Sequence, residues 1–330
     1  MLENIGFYTL SDERAKKSSV FSPLMRCELI ITDKCNFNCP YCKGVKDECS
    51  GELTKQEGFD ILSQWCFSDL QNVRFSGGEP TLNENLISFV RMARENDVKR
   101  IAVSTNGSAD FNLYKELIYS GVNDFSISLD ACCASVGNVM SGTHGYWDKV
   151  VSNIREISKL VYTTVGVVIT KSNLKDIEEI VSFASGLGVH DIRIIPESNF
   201  IFKRKINIPD EILNKHKILK YRINNLMRGR TFRGIMSNDY NRCPLVLDDM
   251  VVSKNYHYPC IIYLREQGEK IGEMGDISKV RCDRLRWFLN TNVKEDEICR
   301  KNCLDVCIDY NNKWIEFKLN ETGSLLTEIK

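Results

Sequence analysis

Residues 29–44 read "LIITDKCNFNCPYCKG". An apolar, β-branched run ends in a polar turn, and Cys35, Cys39 and Cys42 then fall within eight residues. A strand that delivers thiols onto the loop beyond its C-terminal end is the arrangement expected at the ligand-binding edge of a parallel α/β sheet. Three thiolates can ligate three irons of a [4Fe-4S] cube and leave the fourth open to a substrate. Zinc would usually recruit a fourth Cys or His, and none follows at a familiar spacing.

Outward from this octet, short apolar runs bounded by turn or polar residues predict strands at 27–32, 72–76, 100–105, 124–129, 163–170 and 191–196. Amphipathic segments lie between them. "NENLISFVRMAREN" places Leu86, Phe89, Val90 and Ala93 on one helical face, and "SNLKDIEEIVSFASGLGV" offers Ser172 as an N-cap and Gly188 as a stop. Six strands alternating with helices predict a parallel α/β sheet, open or partly closed into a barrel. The unusual residues follow the strands: "SGGEP" the second, "TNG" the third, "LD" the fourth and "PE" the sixth. Loops at the C-terminal ends of parallel strands share one face, so these motifs should converge there.

The chain has 330 residues, 43% hydrophobic and 27% charged, with no formal net charge. That balance suits a globular protein and lacks the basic excess of many nucleic-acid binders. No run approaches the length of a membrane span and the N-terminus has no apolar signal core, so the expected location is the cytoplasm. In that setting fourteen cysteines point to metal ligation, redox chemistry or packing rather than disulfides. Past residue 200 a basic, polar stretch with Asp210 after Pro209 predicts a solvated connector helix. Hairpin-like pieces with Cys243, Cys260, Cys282, Cys299, Cys303 and Cys307 follow it, as in a second, smaller domain.

Taken jointly, "CNFNCPYC", "GGEP", "STNG" and "SISLD" resemble the motifs of the radical S-adenosylmethionine (SAM) superfamily, in order, over roughly residues 24–200. The resemblance implies a partial (βα)6 TIM-like barrel that binds a [4Fe-4S] cluster through Cys35, Cys39 and Cys42. It places Tyr41 near the adenine, and Gly77, Gly78 and Glu79 at the SAM amino group. Ser104 and Asn106 fall near the carboxylate or ribose, Ser128 and Asp130 at the ribose hydroxyls, and Val168 beside the adenine. The implied reaction is reductive cleavage of SAM, with an electron from a flavodoxin or ferredoxin, to a 5'-deoxyadenosyl radical that removes hydrogen from a C–H bond.

The later cysteines resemble the Twitch extension, a shortened SPASM domain, without the CxxCxxxxxC segment of the full form. This implies one auxiliary [4Fe-4S] cluster on Cys243, Cys260, Cys299 and Cys303, with Cys307 exchanging into the set or free to return a hydrogen atom. A structural zinc or packed thiols are the alternatives. The corresponding division is an N-terminal extension (1–23), a core (24–200), a connector (201–242) and an auxiliary-cluster domain (243–330). His144, in "SGTHGYW", is a candidate to face the substrate, and Arg193 a candidate substrate or SAM contact or a surface charge. The function expected is oxidation or epimerisation of a small molecule such as a sugar, aminocyclitol or nucleotide. Maturation of a ribosomal peptide, or a non-catalytic iron-sulfur or zinc electron-transfer module, are the competing readings.

Overall fold

A computed structural model describes residues 2, 5, 10–198, 200, 202 and 204–322. Parts of the N-terminal extension (1, 3, 4 and 6–9) and the last residues of the auxiliary region (323–330) lie outside the described residues. Six strands fall where the apolar runs predict them: β1 (Arg26–Thr32), β2 (Asn72–Gly77), β3 (Arg100–Thr105), β4 (Asp124–Ser128), β5 (Tyr162–Ile169) and β6 (Asp191–Pro196). Each pairs in parallel with its neighbour in sequence, the open-barrel α/β arrangement.

The period of two along these strands separates the two faces. Leu29, Phe75, Val103, Phe125, Ile127 and Val165 are fully buried in the core formed with the outer helices. Arg26, Glu28, Arg74 and Arg193 alternate with such residues and line a cavity on the inner face. Helix Leu86–Glu95 buries the four residues its periodicity picks out.

Two expectations are corrected. Ser172 does not cap a helix: Asn173 folds back to accept from the Thr170 N–H at 2.8 Å, and the helix Ile177–Gly186 begins after a short 3-10 turn at Leu174–Asp176. The connector is not one helix, and only one of its faces is solvated. It breaks at His216 into Asp210–Lys215 and Lys217–Met227, and Arg222 is fully buried, paired with Asp305 at 3.1 Å. The buried Asp191 carboxylate accepts from the N–H groups of Ile218 and Leu219, and so holds the start of the second piece to the barrel.

The segment after Cys243 adds strands to the same sheet. Strand β7 (Asp249–Ser253) joins β1 in parallel, Arg26 opposite Asp249, and β8 (Tyr256–Tyr258) and β9 (Gly272–Glu273) continue the sheet antiparallel. The resulting order is β6-β5-β4-β3-β2-β1-β7-β8-β9. A second core, with Leu10, Ala15, Val246, Tyr310 and Ile315, binds the N-terminal helix Asp12–Lys17 to the long helix Asp305–Thr322.

Candidate active site

The loop after β1 carries Cys35, Cys39 and Cys42, all free and partly or fully exposed. Backbone N–H groups of Phe37 and Gly44 donate to the sulfurs of Cys35 and Cys42, each at 3.4 Å, and a Cys42–Cys39 backbone bond of 3.0 Å closes the turn. Gly142, at φ +62, lets the end of helix Ala134–Ser141 approach this loop; a Cβ there would stand 2.0 Å from the Asn38 carbonyl oxygen. Burial pushes the Cys39 thiol up to about 11 and raises Cys35 as well, so a cationic centre is what would stabilise their thiolates. Thiol donors already furnished with N–H···S bonds fit an iron-sulfur cluster.

Two loops close on this one. A Cβ on Gly78 would meet the Lys34 carbonyl oxygen at 2.2 Å, so the close passage of GGEP beside the cysteine loop requires glycine there. Gly78 and Glu79 donate their N–H groups to the carbonyls of Thr32 and Lys34, at 2.8 and 2.7 Å. The Glu79 carboxylate, fully buried, accepts from the Thr81 N–H and hydroxyl (3.1 and 2.6 Å), the Thr105 hydroxyl (2.7 Å) and the Asn106 N–H (2.6 Å). Both oxygens thus help to fasten the GGEP and TNG loops together, Oε1 with three donors and Oε2 with one. Asn106 itself bonds Asn36 at 2.9 Å and lies 3.9 Å from the Cys35 sulfur, whereas Ser104 sits within β3. Asn36 and Thr81 escape the sequence reading, because their roles lie in side-chain hydrogen bonds, to Asn106 and to Glu79, that no spacing announces.

Tyr41, Ser128 and Asp130 come together with Cys39 around a small cavity of about 50 Å³. The Tyr41 hydroxyl donates to Asp130, whose other oxygen accepts from the Val168 N–H at 2.5 Å. Burial raises Asp130 to about 6. His144 is exposed on the loop between two helices and lies outside the linings of this cavity and of the next.

Cys243, Cys260, Cys299, Cys303 and Cys307 line one cavity of about 110 Å³. Burial is the leading cause raising every one of these thiols, Cys260 to about 12, and neighbouring sulfurs add to it at Cys260, Cys299, Cys303 and Cys307. Five thiols so crowded fit a polynuclear centre, whose charge would offset both costs. Among the described residues no three His, Cys, Asp or Glu side chains converge tightly enough for a single metal ion. Cys282 faces solvent on another helix. The cavity continues into the barrel, where Arg26 pairs with Asp249, Ser76 donates to Glu28 at 2.7 Å and Arg193 reaches Ser126 at 3.3 Å. Arg193 is therefore an interior residue rather than a surface charge. No helix among the described residues is long and apolar enough to cross a membrane.

A parallel barrel with thiols on its first loop and glycine-rich and polar turns on the next three defines a cofactor-dependent α/β enzyme. Residues 29–184, a little under half of the chain, match the family model of the Radical SAM superfamily, whose cofactors are a [4Fe-4S] cluster and SAM. A probable GTP 3',8-cyclase of Sulfurisphaera tokodaii is 25% identical over 217 residues, covering 60% of this chain and 69% of that protein. Among solved structures, Streptococcus suis SuiB bound to S-adenosylmethionine aligns with a TM-score of 0.59 at 16% identity, over 87% of this chain and 72% of that one. The protein anSMEcpe with bound AdoMet aligns at 0.59 and 14%, over 93% and 96%. These two share the fold.

Proposed function

We propose that the chain is a radical SAM enzyme with an auxiliary iron-sulfur cluster that acts on a small, polar, oxygen-rich molecule of the sugar, aminocyclitol or nucleotide class. One observation carries the reading: the five-cysteine cavity opens on barrel residues that carry charge, Arg26, Glu28, Arg74 and Arg193. These four charged side chains, set in an otherwise mostly apolar lining that includes Leu245, Val251, Ile262 and Trp287, offer charge-assisted partners for a hydroxyl- or phosphate-bearing substrate. A relative whose name assigns it GTP falls within the same class.

When bound, the cluster and SAM supply the 5'-deoxyadenosyl radical, with the electron drawn from a flavodoxin or ferredoxin. Cys35, Cys39 and Cys42 would ligate the cluster, and the GGEP backbone would orient the SAM amino group. Asn106 stands at the carboxylate side, and Ser128 and Asp130 at the ribose, with Tyr41 and Val168 near the adenine. On the opposite side Cys243, Cys260, Cys299 and Cys303 would hold the auxiliary cluster within residues 243–330. Cys307 lines the same cavity together with Arg26 and Asp249, a position from which its S–H could return a hydrogen atom in an epimerisation. In an oxidation the auxiliary cluster would instead take the second electron.

The test is anaerobic reconstitution with iron and sulfide, then SAM and dithionite. The expected outcome is about eight irons per chain, as two four-iron cubes require, and formation of 5'-deoxyadenosine. Cys39→Ala should abolish that product, while Cys303→Ala should keep SAM cleavage and lose turnover of the substrate. Retention of cleavage by Cys39→Ala would remove the ligand assignment. Raised cleavage with peptides, and none with sugars or nucleotides, would favour a maturase.

A further inference from the structure

Beyond Cys42 the cysteine loop is fastened to the C-terminal extension as well as to its own barrel. Lys43 pairs with Glu266 at 2.9 Å, Lys46 donates to the Gly268 carbonyl at 3.2 Å, and Tyr258 donates to Glu48 at 2.7 Å. Cys49 is buried with Ile30, Val251, Tyr258 and Leu264 in a small shared core. At the centre of this seam stands Arg265. One arm of its guanidinium donates to the Gly77 carbonyl at 2.6 Å, and the other to the Gly44 carbonyl. Gly44 is two residues past Cys42, and Gly77 opens GGEP, so one side chain spans the two loops that must meet around SAM. Arg265 ends the one-turn helix Ile261–Arg265, and the residue just before that helix is Cys260, in the five-cysteine cavity.

We propose that Arg265 is a positioning residue that sets the spacing of the cysteine loop and the GGEP loop, and that it transmits to both the seating of the helix anchored by Cys260. Filling the five-cysteine cavity then tunes SAM binding at the other cluster. This rests on the proposed function for the identity of the two cofactor sites. A guanidinium is suited to the task because its planar fork can serve two carbonyls at fixed separation, whereas an ammonium offers a single flexible point. Neither carbonyl belongs to the Cys260 helix, so movement of that helix must act on both loops or break the bonds.

The experiment uses the full chain with Arg265→Gln, Arg265→Lys and Cys260→Ala. Amide hydrogen exchange is measured on metal-free protein, and SAM affinity by equilibrium dialysis after reconstitution. Arg265→Gln should speed exchange at 43–49 and 77–79 alone and weaken SAM binding by about tenfold, as expected for the loss of two charge-assisted hydrogen bonds. Arg265→Lys should recover part of each. Cys260→Ala, with Arg265 intact, should weaken SAM binding in the same direction. Native exchange and affinity in Arg265→Gln would overturn the proposal, as would faster exchange across the whole sheet, which marks a merely structural role. Native SAM affinity in Cys260→Ala would overturn the transmission. Iron content and 5'-deoxyadenosine from the unsubstituted chain report on the proposed function separately, and the exchange readout depends on neither.

Discussion

At the residue scale the most informative side chain is Glu79. Its motif reads as a carboxylate for the SAM amine, and the structure shows it also fastening loops: Oε1 accepts from Thr81 and Thr105, and Oε2 from the Asn106 N–H. Each oxygen faces a backbone N–H, which cannot rotate away. In Glu79→Gln the amide NH2 would therefore confront a donor. The expected cost is about 1–3 kcal/mol from an unsatisfied buried group, together with a raised Km for SAM, measured by denaturation and by 5'-deoxyadenosine formation. Glu79→Gln with native stability and Km would show that the carboxylate does not fasten the loops. The three thiols, the glycines and the strand-end polar residues could all be named from sequence, because spacing within a few residues exposes them. Arg265, Asn36, Arg26 and Arg74 could not, since their meaning comes from partners distant in sequence, whereas Arg193 was named without its interior position.

Among the elements, the two-piece connector shows how burial changes a reading that composition suggests. Lys217–Met227 is polar by count, but Arg222 turns inward to Asp305 and is surrounded by protein. Replacing one member of a buried pair strands the other, so Arg222→Met should lose about 3–5 kcal/mol in chemical denaturation. Adding Asp305→Leu should restore part of that loss. Asp191 supports the same helix, and burial raises its carboxyl to about 6 from 3.8. Between those values the folded state keeps a proton that the unfolded chain has released. The group's contribution to stability therefore declines as pH rises through this window and is flat above it. Asp191→Asn keeps the Oδ1 acceptor for the Ile192 and Ile218 N–H groups, at 2.8 and 3.1 Å. The variant should gain on the native chain from pH 4 to pH 6, read as the difference in Tm; a difference constant with pH would contradict the assignment. The six barrel strands were legible because each is a compact apolar run. The break at His216 was not, because it answers to Ser185 and His190 across the fold.

At the scale of the whole molecule, the extension completes the sheet. β7 covers the edge of β1, and the helix Asp305–Thr322 packs on Asp12–Lys17, with the Trp314 indole donating to the Ser18 carbonyl at 2.9 Å. A chain ended at residue 242 should therefore give no cooperative thermal transition and should aggregate, as seen by calorimetry and light scattering. A monomeric, cooperatively melting fragment would establish an independent core. Two separate domains were the natural expectation, since a five-residue strand among cysteines carries no mark of the strand it will join.

The β1–β7 pairing also bears on how such a protein is made. Arg26 and Asp249 are separated by 223 positions. During synthesis, then, the strand that carries the iron-binding loop has an open flank until most of the chain has left the ribosome. Contacts so remote in sequence form slowly. The loop that carries Cys35, Cys39 and Cys42 is thus displayed on an unfinished sheet until β7, Asp249–Ser253, has emerged.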